Sequence, residues 1–176
     1  MVKLGVISDT HRHIVNLTRA IQYLKAQGAK MFIHLGDDYA DIEETAERNF
    51  LRVPGVFSEV YTDERIPNRV IKNVVGWHLL LTHTVASHPN DLPGDAKPEY
   101  LIRDRRVDVV LYGHTHLPEI KQEEGIIFIN PGHLKNEDKR GSPASFAFLE
   151  LTMNRMLARI HRLADYEVIL ENAFRR

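Results

Sequence analysis

The chain has 176 residues, a formal net charge of -1 and no cysteine, which excludes a disulfide framework, a thiolate metal site and a cysteine nucleophile. Hydrophobic residues make up 43% and charged residues 27%, the balance of a soluble globular protein read here as one domain over 1–176, and near-neutrality argues against a strongly basic nucleic-acid surface. No apolar run approaches the ~20 residues that cross a bilayer, and the opening MVKLGVISDTH turns polar too soon for a signal peptide, so the expected location is the cytoplasm.

In chain order, residues 2–8 (VKLGVIS) form a short apolar run ending at Asp9 and predict a buried strand. Ile14, Leu17, Ile21 and Leu24 recur at helical spacing, with Gly28 as the stop. Residues 31–35 predict the next strand, so the first third is a βαβ unit with parallel strands. Residues 41–50 predict a second, charged helix; Val53 opens another strand before the Pro54-Gly55 turn. Residues 69–71 and 77–82 predict a hairpin turning over 73–76, and residues 98–106 a short helix with Pro98 in its first turn. Residues 107–112, 126–129, 145–151 and 156–160 then read as strands, with 86–97 and 136–143 as loops. The pattern predicts an α/β protein with a mixed sheet, or two packed sheets, and helices outside.

Four groups of chemistry-bearing residues fall just after expected strands: Asp9-Thr10-His11, Gly36-Asp37, His83 and Gly113-His114-Thr115-His116. In extended chain, residues i and i+2 point the same way and lie roughly 6.5–7 Å apart. Two metal ions about 3.5–4 Å apart need ligands at about that separation. Asp9/His11 and His114/His116 would thus each place one ligand on each ion, and Asp37, with two oxygens, is the natural bridge. Gly36 and Gly113 would let the backbone crowd the site. Carboxylates and imidazoles without thiolate suit borderline-hard divalent ions, and the chemistry this points to is metal-assisted hydrolysis of phosphate esters. Taken singly, Asp9 reads as a helix cap, Asp37 as a turn residue and His83 as a satisfied polar group; the ordered set is what carries the metal reading. Of the other histidines, His34 falls within or beside a strand, His78 and His161 read as surface positions, and His13, His88 and His133 as loop residues.

This ordered set resembles the calcineurin-like metallophosphoesterase superfamily, whose pattern is D-x-H, G-D, G-N-(H/C)-(D/E), a single His after a strand, and G-H-x-H. Asn130-Pro131-Gly132 further resembles the compact bacterial and archaeal phosphodiesterases, and the likeness spans about residues 2–160. The resemblance implies a four-layer α/β/β/α sandwich of two mixed sheets with outer helices. It implies two divalent cations, manganese first with iron, cobalt, nickel or zinc as alternatives. Asp9, His11, Asp37 and His116 would hold one, and Asp37, His83 and His114 the other. A metal-bridging water would be the nucleophile, with His114 assisting, on a small phosphate ester, diester before monoester. Members of the family often form homodimers, though nothing in this sequence reads as an interface and the oligomeric state stays open; the lack of a long apolar run argues against a membrane partner.

One motif departs. Where the family has G-N-x-D, this chain has Gly55-Val56-Phe57-Ser58. Val56 replaces the Asn that normally ligates the second metal, and Phe57 the histidine that some members use as general acid. Water or Glu59 is the expected substitute ligand, ahead of Ser58, Tyr61 and Asp63. The leaving-group proton would come from solvent, His88, His133 or Asp38. The competing reading is a non-enzymatic protein-interaction module, as in the retromer subunit of this fold. A nuclease is disfavoured because Lys135, Lys139 and Arg140 form only a modest basic loop.

Overall fold

The opening apolar run forms β1 (Val2–Ile7), with its last four residues buried, in a computed structural model that describes residues 1–176. Helix α1 (Ile14–Ala26) follows and buries Leu17, Ala20, Ile21 and Leu24 along one face. The chain leaves the helix at Gly28, whose φ of +91° is a conformation glycine adopts without strain. Strand β2 (Met31–His34) then pairs with β1 in parallel, completing the expected βαβ unit.

The charged helix expected over 41–50 does not form. Asp41–Glu44 makes a single 3₁₀ turn, and β3 (Phe50–Arg52) runs parallel to β2 over the end of that span. The Asp41 carboxylate accepts bonds from the Thr10 hydroxyl (2.6 Å) and the Arg12 amide (2.8 Å), and Ile42 enters the core under α1. Anchored at that end, the segment turns extended at Thr45. The strand here ends before Val53, where the sequence suggests one would begin.

The predicted hairpin is β4 (Arg69–Val74) and β5 (Trp77–Thr82). Its turn narrows to Val75-Gly76, both with positive φ, the conformation of a tight two-residue hairpin. Helix α2 (Pro98–Arg103) leads to β6 (Val109–Leu111), which pairs in parallel with β5. Sequence patterning misses β7 (Glu119–Glu123), an edge strand of sequence EIKQE, because Ile120 is its only apolar residue and none of its side chains is fully buried. It forms a hairpin with β8 (Ile126–Asn130). Strands β9 (Ser145–Leu151), β10 (Arg155–Arg162) and β11 (Val168–Arg175) complete the chain. The last of these is also an edge strand, mostly exposed, and sequence patterning misses it for the same reason.

The strands form two mixed sheets, ordered β11-β10-β9-β1-β2-β3 and β4-β5-β6-β8-β7. Side-chain alternation builds the layers. Leu4, Val6, Leu79, Leu81, Val109 and Leu111 belong to the cluster between the sheets. The intervening Leu80 and Val110 face outward with Leu101 and Ile102 of α2, while Phe32, Phe146 and Phe148 pack under α1. The result is the α/β/β/α sandwich. No helix is long and apolar enough to cross a membrane.

His34 and His161 are both buried. His161 is buried rather than exposed: its ring stacks on Phe146 at 5.6 Å and its Nδ1–H donates to the Tyr166 carbonyl at 2.9 Å. His34 ends β2 fully buried, with Nδ1 unpartnered, and burial lowers its pKa from 6.5 to about 4 against the attraction of Asp41 and Asp9. Between those values the unfolded chain binds a proton that the folded chain refuses. The contribution of His34 to stability is therefore full above pH 6.5 and is lost as pH drops toward 4, on the order of 3 kcal/mol by linkage. Urea unfolding in chelator is expected to show a steeper fall between pH 7 and 4 for the wild type than for His34→Gln; equal slopes would disprove the assignment.

Candidate metal centre

Strands β1, β2, β5 and β6 all end at the same edge of the sandwich, where parallel strands typically deliver functional residues. Asp9 lies fully buried just beyond β1. It does not cap α1, whose first position follows His13 with no side-chain cap. Its carboxylate instead accepts bonds from the Ser8 hydroxyl at 2.5 Å and the His114 amide at 3.0 Å. The six residues singled out by sequence converge here. His11 Nε2 lies 3.0 Å from Asp37 Oδ2, and His83 Nε2 lies 3.4 Å from Asp37 Oδ1. His116 Nε2 lies 3.2 Å from Asp9 Oδ1 and 3.0 Å from His11 Nε2, and His114 Nδ1 lies 3.2 Å from His83 Nε2. Asp37 thus stands between two pairs of imidazoles, with one oxygen toward each. Asp9, His11, Asp37 and His116 offer ligand atoms all within 4.8 Å of one another.

The route to this arrangement differs from the extended-chain expectation. Asp9, His11, Asp37, His114 and His116 all have φ between +45° and +66°. Left-handed turns, not strand alternation, aim these side chains, each at a cost of about 1–3 kcal/mol that the surrounding fold must hold. Glycines give the room. A Cβ on Gly36 would strike the His83 ring and the Gly55 amide, one on Gly55 would strike Asp37, and one on Gly113 would strike Ser8 and Asp9.

The outer hydrogen bonds decide which ring nitrogens face inward. His83 Nδ1–H donates to the Leu35 carbonyl at 2.8 Å, and His116 Nδ1–H donates to Asp138 Oδ2 at 2.6 Å. In the neutral rings both Nε2 atoms then carry lone pairs. They face the carboxylate oxygens of Asp37 and Asp9 at 3.4 and 3.2 Å, where lone pair meets lone pair, and the ring nitrogens His114 Nδ1 and His11 Nε2 at 3.2 and 3.0 Å. Such a cluster repels itself unless protons or cations lie between, and the donor set fits a cation. The protonation tendencies agree. Burial raises the Asp37 pKa, but the His11 hydrogen bond and the neighbouring imidazoles outweigh it and hold the carboxyl well below the usual range. Burial lowers His114. Burial also opposes protonation of His116, but its bonds to Asp9 and Asp138 prevail and raise it. A cation and a proton would compete for His116 Nε2.

The remaining expectations divide. Glu59 begins a short 3₁₀ turn, Glu59–Thr62, and is exposed on the wall of the cleft beside His11 and Asp37. It makes no hydrogen bond or ion pair with the six, so the structure does not supply it as the substitute ligand; its exposed side chain prefers water. Tyr61 donates to Asp91 and Asp63 pairs with Arg65, so neither is free for that role. Val56 is buried (1% exposed), whereas Phe57 is 75% exposed, with its ring 6.4 Å from that of His114 and 5.6 Å from that of His88. His133 is buried against His116 and has both ring nitrogens bonded to backbone, which removes it as a proton donor. His13 turns to the carbonyl of His11. Asp138 has no sequence signal, being one acid in a polar loop. Asn130 holds the GHTH turn by donating to the Gly113 carbonyl and Thr115 Oγ1, both at 2.9 Å.

The profile of the calcineurin-like phosphoesterase superfamily domain matches residues 2–154. The chain belongs to this superfamily. Among curated members, it is 27% identical to phosphodiesterase YfcE of Escherichia coli K12, with 98% of each chain covered. It is 25% identical to phosphodiesterase MJ0936 of Methanocaldococcus jannaschii, over 74% of this chain and 83% of that one. The fold is shared with a predicted phosphoesterase from Streptococcus pneumoniae (TM-score 0.72, 21% identity, 99% and 98% covered). It is shared also with vacuolar protein sorting 29 from Cryptosporidium parvum (TM-score 0.71, 19% identity, 99% and 98% covered). The superfamily's two mixed sheets are those described above, and the curated members it resembles here are named phosphodiesterases.

Proposed function

We propose that residues 1–176 act as one metallophosphoesterase domain that hydrolyses small phosphodiesters with two divalent cations, manganese first among them. The observation that carries the reading is the pair of inward-facing imidazole sets flanking the Asp37 carboxylate. Asp9, His11, Asp37 and His116 would hold one cation, and Asp37, His83 and His114 the other. When bound, the cations would supply Lewis acidity toward the phosphoryl oxygens and lower the pKa of water between them. The chain's own part is positional. The Leu35 carbonyl and Asp138 orient His83 and His116, and the Asp9 carboxylate ties the GHTH turn to the end of β1. Phe57 forms an apolar rim against which a substrate's alcohol or aryl group would rest.

A second reading, a protein-interaction module on the same fold, draws on Val56 and on the exposed Phe57 in the departed motif. Metal loading separates the two. Protein stripped with chelator is expected to bind about two Mn²⁺ per chain by calorimetry and to hydrolyse bis(4-nitrophenyl) phosphate only after loading. No uptake and no turnover would overturn the enzyme reading in favour of the module.

A further inference from the structure

Asp138 lies outside every motif and outside the proposed ligand set. Its loop, NEDKRGSP, reads as plain solvated surface, yet its side chain is only 2% exposed. Burying a carboxylate costs several kcal/mol unless it is paired and hydrogen-bonded. Oδ2 accepts from His116 Nδ1 at 2.6 Å and from Lys135 Nζ at 3.2 Å, and Oδ1 accepts from the Arg140 amide at 2.9 Å. A carboxylate that served only to close the loop would need the last two bonds alone. The shortest of the three reaches across to the GHTH turn.

We propose that Asp138 is a positioning residue for the cation held by His116. It keeps the His116 proton on Nδ1, turns the bare Nε2 toward Asp9 and His11, and makes that nitrogen a better electron donor. The His133 ring, packed 5.4 Å from that of His116, limits rotation of the imidazole, so the choice of tautomer is the freedom left for Asp138 to decide. Lys135 compensates the buried negative charge from the solvent side. The consequence for metal binding rests on the metallophosphoesterase reading; the tautomer does not.

The test uses the full chain with Asp138→Asn, a near-isosteric change, and Asp138→Ala. In metal-free wild type at fixed alkaline pH, ¹⁵N–¹H NMR is expected to show His116 protonated at Nδ1 and bare at Nε2, with both variants shifting toward a mixture of tautomers. Calorimetric titration with Mn²⁺ is expected to show the tighter site weakened by about 10–100-fold in both variants, while Lys121→Met, on the edge strand β7 and ion-paired only with Glu119 and Glu123, stays within about threefold of wild type. Thermal unfolding of the metal-free proteins shows whether a loss of affinity is merely a loss of fold; a loss that tracks unfolding in both variants overturns the proposal. So does unchanged affinity with an unchanged tautomer. If wild type binds no Mn²⁺, the enzyme reading has failed, and the positioning role fails with it even where NMR finds the tautomer as drawn.

Discussion

Replacing Asp37 by asparagine is expected to lower hydrolysis of bis(4-nitrophenyl) phosphate in saturating Mn²⁺ by at least about 10³-fold, roughly 4 kcal/mol of transition-state stabilisation. The substitution keeps the shape of the side chain and removes its charge. Asp37 is the one group with an oxygen toward each imidazole pair, so its loss touches both proposed cations at once, whereas loss of a terminal ligand touches one. An asparagine would also present an N–H to a lone pair on one side, orienting the amide but leaving the cluster one negative charge short. His114→Ala is expected to have an effect of similar size through the second cation alone. That cation already lacks the motif asparagine, Val56 standing in its place, and without His114 it would keep only Asp37 and His83. Initial rates over a Mn²⁺ series distinguish a loss of affinity, which added metal restores, from a loss of turnover, which it does not. Full activity in both variants would remove the assigned site.

The second large effect concerns Gly36, and it is one of stability. Its φ is +113°, a region essentially closed to L side chains, and a Cβ there would meet the His83 ring and stand 2.9 Å from the Gly55 amide nitrogen. The His83 ring has no room to yield, because its Nδ1–H is committed to the Leu35 carbonyl and the ring is buried. Gly36→Ala is expected to destabilise by about 4 kcal/mol, the upper part of the range for single substitutions, and to lower Tm by about 10 °C in a chain of this length. Gly94→Ala is the matched control. A Cβ at Gly94 meets nothing within 4 Å, and its effect is expected to stay within about 0.5 kcal/mol. Equal Tm values for the two variants would show that the close approach at Gly36 is relaxed by small backbone shifts.

Phe57 illustrates how a departure from a motif changes what a site does. A histidine there would carry a proton to the edge of the cleft; a phenylalanine that is 75% exposed instead offers apolar area beside His88 and His114. Leaving a large apolar ring in water is unfavourable in the free protein. On the proposed function, a substrate group that covered it would recover part of that free energy, which would suit an ester with a flat or hydrophobic alcohol. An activated aryl ester, whose leaving group needs no proton, is therefore a suitable first substrate for this chain.

What the sequence by itself determined is the set of residues and the frame that carries them. The apolar run before Asp9, the helical spacing of Ile14 to Leu24 and the run before Gly36 together specify a βαβ unit, because strand burial and helix amphipathicity are periodic and local. The D-x-H, G-D, lone His and G-H-x-H groups identify all six convergent side chains, since each sits at the end of an apolar strand that sequence alone reveals. Strands β7 and β11 escaped because edge strands are half-solvated and lose the alternation that marks a strand. The helix expected over 41–50 failed because Asp41 is drawn to Thr10 and Arg12, partners about thirty residues earlier that helix propensity does not register. The positive φ values that aim five of the six convergent side chains, the burial of His161 and the bond from His116 to Asp138 were decided only in the tertiary structure. They depend on the packing of segments that are separate in the chain, such as Phe146 against His161 and the 136–143 loop against the GHTH turn, and no local pattern of residues records it.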